Sequence, residues 1–405
     1  MDRALIHAWD IRIAKKDIGI REYGLMEARA AYYPTLNLGF TNEYVDFLGD
    51  GDSVVSVGDQ VSANDASTFQ HSFTLGLSWV LYDFGARGQR MEKARREIAR
   101  AQFGKDEALL ETRLEVLDAY GLCLQLFRQR QITGEIVRLR KEVYKDLQSL
   151  REAGTVGQVL LNSAAVELAE AISLLDVLTD HMVQALENLS YLTGENYSLD
   201  ETLFVDLPPV PETERLPDLE SLPQVRAVEA EIARIRAERA AVLREMLPVI
   251  GFTAAYRMFG ADENSFGNSL DNLNARDATV SLVARWEFFS GFRDVARLKQ
   301  LQLQVEQLGL EKGRRMDQLQ QRVRTAYGIW QLADSANGRR DQREEVLKQS
   351  GQALERLSEQ QVIDRVALLE QQIELMEQER DMEVTQLQRQ LAGWQLSLWA
   401  EGGTP

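Results

Sequence analysis

The stretch FQHSFTLGLSWVLYDFGARGQRMEKARREIARAQ, residues 69–102, contains the change of period that decides the fold. Between Phe69 and Leu81 the residues Phe69, Phe73, Leu75, Leu77, Trp79 and Leu81 take odd positions, while Gln70, Ser72, Thr74, Gly76, Ser78 and Val80 take even ones. Such alternation marks a strand with one oily face and one mostly small polar face. At Asp83-Phe84-Gly85 the period lengthens to that of a helix and charge density rises. A strand with an aromatic-rich outer face that feeds a long solvated helix is unusual in a compact globular domain. It fits a wall that passes from lipid into water.

Outward from this junction the same alternation appears three more times. Residues 4 to about 31 read as helix, ended by Pro34, because the residue before proline is pushed out of the α region. A strand over 35–47 puts Leu36, Leu38, Phe40 and Tyr44 on one face, and the Gly/Asp/Ser-rich 48–68 reads as an exposed loop. After Gly85 a helical pattern runs to a break at Ala153-Gly154-Thr155-Val156-Gly157, resumes at 158 and closes at Leu192-Thr193-Gly194. The segment 195–223 carries five of the chain's eight prolines and reads as a linker. Beyond it come a helix over 224–246, strands over about 249–258 and 279–289, and a helical hairpin over 292–399.

The second half replays the first. A constant offset of 207 pairs Trp79 with Trp286, Arg90 with Arg297, Ala119-Tyr120-Gly121 with Ala326-Tyr327-Gly328, and Glu167 with Glu374. One register kept across a helix, a turn and a second helix implies duplication. The fold class is therefore mixed α+β and mostly α, built from a repeated unit of helix, two strands and a long helical hairpin. The first repeat spans 1–194, the linker 195–223, the second repeat 224–400 and a tail 401–405. The long helix over 86–152 would extend about 100 Å at ~1.5 Å per residue, and its three-and-four apolar spacing is that of an antiparallel coiled coil.

No run of about 18 apolar residues occurs, which on this reading excludes a transmembrane helix but not a transmembrane β-barrel, whose strands of ~9 to 11 residues leave a weak hydropathy signal. Four strands cannot close a barrel, and an open edge is forbidden in lipid because every backbone group needs a partner. The chain must therefore oligomerise, two copies giving eight strands and three giving twelve. A net charge of −17 argues against nucleic acid as a partner. The opening Met-Asp-Arg-Ala-Leu-Ile-His enters a helical pattern with no visible leader, so either a leader was removed or the protein stays in the cytosol.

Tyr33-Pro34-Thr35-Leu36 and Leu247-Pro248 before the first strand of each repeat, with the passages Leu81-Tyr82-Asp83-Phe84-Gly85 and Phe288-Phe289-Ser290-Gly291, resemble the TolC family of outer-membrane efflux proteins. Ala119-Tyr120, Ala326-Tyr327, Gly154-Thr155 and Leu192-Thr193-Gly194 add to the resemblance. It implies a homotrimer whose twelve-stranded barrel lies in outer-membrane lipid and continues as an α-helical barrel in the periplasm. It also implies a periplasmic adaptor and an inner-membrane transporter as partners, serving drug efflux or type I secretion. The sequence departs from that family after both turns, where Val159-Leu160-Leu161-Asn162 and Val366-Ala367-Leu368-Leu369 lack its usual aspartate.

Candidate functional residues follow. The turns Gly154, Thr155, Val156, Gly157 and Gln361, Val362, Ile363, Asp364 form an expected adaptor-docking tip, with Thr155 and Val156 as a small apolar knob. Trp79, Tyr82, Trp286, Phe288 and Phe289 are expected as aromatics of the membrane interface. His7, His71 and His181 lack metal-ligand spacing, and neither a nucleophile elbow nor a phosphate-binding glycine loop is present, so neither an enzyme nor a cofactor is expected. The acids of 140–170 and 340–380 read as a solvated coiled-coil face rather than a cation-favouring lining. The other function class is a soluble coiled-coil scaffold, which would need a layer over four oily strand faces.

Overall fold

In a computed structural model the described residues are 1–45, 68–199, 204–210, 217–262, 265–271, 273, 275–359 and 364–402. The elements are α1 (Asp2–His7), α2 (Trp9–Ala30), β1 (Thr35–Val45), β2 (Thr68–Tyr82), α3 (Ala86–Glu152) and α4 (Gln158–Thr193), followed by α5 (Pro223–Glu245), β3 (Val249–Asp262), α6 (Phe266–Asp271), β4 (Ala275–Arg285), α7 (Arg293–Glu359) and α8 (Arg365–Gly402). The offset of 207 carries both ends of α3 onto both ends of α7.

The chain divides into two compact units, and the divisions fall within α2, α3, α5 and α7. One unit comprises 1–18, 100–229 and 310–405. It contains three apolar cores, centred on Leu110, Leu222 and Leu396, on Cys123, Met182 and Leu186, and on Val143, Ala164 and Ile373. Burial raises the Cys123 thiol to about 11, so it stays protonated and packs as a small apolar group. The linker is tacked down in part: the Tyr120 hydroxyl donates to Val205 O and accepts from Val205 N, and Trp394 Nε1 donates to Pro208 O.

In composition α4 is long and apolar enough to cross a membrane, with only 6% of its most apolar window buried. This corrects the exclusion drawn from uninterrupted apolar runs, because isolated acids such as Glu167 and Glu170 break the runs without lowering the average enough. One side of α4 packs through Leu178, Met182 and Leu189, while Val159, Val166 and Val177 remain exposed.

The other unit, 19–99 and 230–309, contains one antiparallel sheet in the order β1-β2-β3-β4. The sheet has two open edges, β1 and β4. The alternation suggested that the last strand ran over 279–289, whereas β4 begins at Ala275 and ends at Arg285. Its partner explains the early stop: Val249 faces Arg285, and the residue before Val249 is Pro248, which has no N–H to donate.

Candidate junction and tip sites

Strand register sorts the sheet into two faces. Leu36, Leu77, Ala254 and Val280 form one cross-strand row, and Leu38, Leu75, Tyr256 and Ala278 the next, all apolar apart from the tyrosine hydroxyl. The opposite face carries Thr35, Ser78, Thr253 and Ser281 in one row and the ion pair of Arg257 with Asp277, at 2.8 Å, in another. Leu36, Leu38, Val280 and Leu282 remain about 70% exposed, so among the described residues no layer covers the oily face at their level. Of the described elements only α6 lies on it, where His71 is buried against Phe266, donates from Nε2 to Phe266 O at 3.1 Å and meets Asn42 Oδ1 through Nδ1. In a bilayer, Leu77→Arg or Leu282→Arg is expected to cost about 2 to 4 kcal/mol. Arg at Thr74 or Ser281 should be tolerated, and equal urea midpoints for all four variants in detergent would refute the facing.

The two strand-to-helix junctions share a backbone and differ in their side chains. Phe84 and Gly85 take φ of 52° and 86°, and their counterparts Gly291 and Phe292 take 61° and 64°. Each junction therefore needs two consecutive left-handed residues, one of them a phenylalanine for which that conformation costs energy. In the first junction Asp83 Oδ2 accepts from the Arg87 amide at 2.8 Å and from Arg87 Nε at 3.1 Å, while Oδ1 accepts from Gly85 N. The Arg87 guanidinium also donates to Ala31 O, Val80 O and Leu81 O and stacks over Tyr32. Both Asp83 and Arg87 are 7% exposed. One buried cation thus fastens the end of α2, the end of β2 and the start of α3.

In the second junction Ser290 Oγ donates to Asp294 Oδ2 at 2.7 Å, and Arg293 pairs with Glu287 in solvent. The Ser290 hydrogen bond holds the Asp294 carboxyl below its ordinary range. The aromatics expected at a membrane interface surround these turns. Trp79 Nε1 donates to Tyr32 O at 2.9 Å and Trp286 Nε1 to Met246 O at 3.0 Å, each two residues before the proline that opens a strand. Tyr82, Phe288 and Phe289 are exposed, the last two beyond the end of β4.

At the first tip, Gly154 has φ of 76°; its amide reaches Arg151 O and the Thr155 amide reaches Leu150 O, which together close the end of α3. Thr155 Oγ1 folds back onto Leu150 O at 2.7 Å. Val156 differs from its expected place: it packs with Leu150, Leu161 and Val366 against the core rather than projecting as a knob. The apolar groups that project are Val159 and Leu160 in the first turn of α4. At the second tip Asp364 O accepts from Leu368 N and begins α8, while Gln361, Val362 and Ile363 lie outside the described residues. Arg140 joins α3 to Glu167 of α4 and Glu370 of α8, and Arg365 meets Asp146 at 3.0 Å. The sequence reading missed these ties because their partners lie far apart along the chain.

Residues 1–195 match the family described as Outer membrane efflux protein. Among solved structures, the channel protein CusC is 18% identical, with 98% of this chain and 90% of that chain covered and a TM-score of 0.80. The outer membrane channel CmeC of Campylobacter jejuni is 12% identical over 99% of this chain and 84% of that one, with a TM-score of 0.78. The outer membrane protein VceC of Vibrio cholerae is 15% identical over 99% and 94%, with a TM-score of 0.74. None of the curated proteins matches the sequence. At these identities the structural likeness speaks for the fold, and the family match speaks for the first repeat.

Proposed function

From a TolC-like chain whose first 195 residues match the outer membrane efflux protein family, we propose a passive exit duct in the bacterial outer membrane, open to a periplasmic helical tunnel. The observation that carries this reading is the sheet: open at both edges among the described residues, polar on one face, and on the other oily and bare around Leu36, Leu38, Val280 and Leu282. A soluble scaffold would have to cover that oily face. A barrel leaves it to lipid and closes the edges with further copies of the chain. Three copies give the twelve strands of the resemblance.

The tunnel is opened by partners, a periplasmic adaptor and an inner-membrane transporter meeting the turns at the ends of the two hairpins. Opening has to loosen the ties that Arg140 and Arg365 make between the first hairpin and α8. The duct moves cargo without chemistry of its own, so it needs no cofactor. In mild detergent the protein is expected to run as a trimer by light scattering with detergent subtraction. A well-behaved monomer in plain buffer would overturn the barrel.

A further inference from the structure

We propose that β4 of one protomer joins β1 of the next in one specific register, dictated by the duplication, and that β4 then lengthens through Trp286 to Phe289. This rests on the closed-trimer reading and adds to it which residues face one another.

The two hairpins are superimposable in register. β1 maps onto β3 with an offset of 214, as Pro34 maps onto Pro248, and β2 maps onto β4 with the offset of 207. Under those offsets the first and last pairs of the first hairpin, Thr35 with Ser78 and Val45 with Thr68, become Val249 with Arg285 and Phe259 with Ala275. Those are the first and last pairs of the second hairpin. The strands of the two repeats are therefore equivalent along their whole paired length.

One further pairing lies within the chain, β2 with β3, which joins the second strand of one repeat to the first strand of the other. Its equivalent between copies is β4 with β1, the two edges left open. Observed pairs such as Gly76 with Ala255, Ser78 with Thr253 and Trp79 with Phe252 transfer to Val283 facing the partner's Thr41, Arg285 facing the partner's Gly39 and Trp286 facing the partner's Leu38. Faces agree throughout: Trp286 meets Leu38 on the oily side, and Val283 meets Thr41 on the polar side. A slip by one residue would put every oily side chain beside a polar row, so only slips by two compete.

The same mapping accounts for the unequal strand ends. β2 runs to Tyr82 because β3 holds it there, with Tyr82 facing Ile250 after an irregularity at Val80. Phe289 is the counterpart of Tyr82, and in the single chain it has no strand beside it among the described residues. Closure supplies one, with Phe289 facing the partner's Leu36. The exposed aromatics past Arg285 are thus strand residues waiting for the neighbouring copy.

The test uses the full chain in detergent with cysteine pairs on the water-facing side, oxidised and run on non-reducing gels. Native Cys123 is buried and out of reach. Thr41→Cys with Val283→Cys should give covalently linked trimers. Gly39→Cys or Glu43→Cys with Val283→Cys should link about tenfold less, since a two-residue slip moves the sulfurs ~7 Å along the strand, beyond disulfide reach. A Cβ at Gly39 meets only Thr74 O, at 4.0 Å, so that control is sterically sound. Slow amide exchange at residues 286–289 should appear in the trimer and not in the monomer. A trimer that links best through position 39 or 43 overturns the register while leaving the closed barrel intact; a chain that never becomes a trimer overturns the barrel, and the register with it.

Discussion

Replacing Arg87 with alanine is expected to lower stability by about 3 to 5 kcal/mol, the cost of leaving a buried charge without its partner. Asp83 is 7% exposed, and its carboxylate would retain only the amides of Gly85 and residue 87. Three carbonyls, of Ala31, Val80 and Leu81, would lose a charged donor at the same time. Arg87→Lys should recover only part of this, because an ammonium lacks the planar fork that reaches several acceptors. Arg293→Ala, in the solvent-exposed pair of the second junction, should change little. Urea unfolding of the three variants in detergent measures the difference. Equal midpoints for Arg87→Ala and Arg293→Ala would show that the first junction is not fastened in this way. Because the cation spans α2, β2 and α3, its loss should also weaken trimer insertion more than any surface ion pair does.

Why the sequence shows the first junction and hides its chemistry follows from periodicity. Alternation exposes strand faces directly, and rows such as Leu36, Leu77, Ala254 and Val280 could be anticipated because a slip by one residue would reverse them. Duplication exposed the helix ends, since α3 and α7 start and stop at equivalent residues. Arg87 was hidden within a charged run, where Arg95 and Arg96 pair with Glu92 along the helix and Arg90 and Lys93 reach Glu245 and Glu238 of α5. Its equivalent in the second repeat is Asp294, so the repeat itself gives no hint of its role. In the single chain β4 stops short of the expected 289, because alternation continues past the point where Pro248 ends the partner strand. Val156 was assigned outward because a turn's composition reveals where the chain bends but not which side chain the bend returns to the core.

The tip yields the second large effect. Gly157→Glu is expected to abolish export while leaving folding, insertion and trimer formation intact. The backbone permits this separation: Gly157 has φ of −81° and ψ of 156°, open to any residue, and a Cβ there meets nothing within 4 Å. A glutamate at the start of α4 would even suit the helix dipole, so a folding defect is not expected. Gly154, at φ of 76°, would be strained by any substitution, which makes it the poorer probe. What the introduced carboxylate would disturb is the small apolar surface formed by Val159 and Leu160 beside Thr155, the part of the turn that reaches solvent. A docking adaptor would have to desolvate a new carboxylate at its contact, and that penalty is large unless it supplies a cation. Efflux assays in cells with the cognate adaptor and pump, together with crosslinking from a cysteine at position 155, test the idea. Normal export by a correctly inserted Gly157→Glu trimer would sink tip docking, as would crosslinks that map instead to mid-helix positions near Ala119.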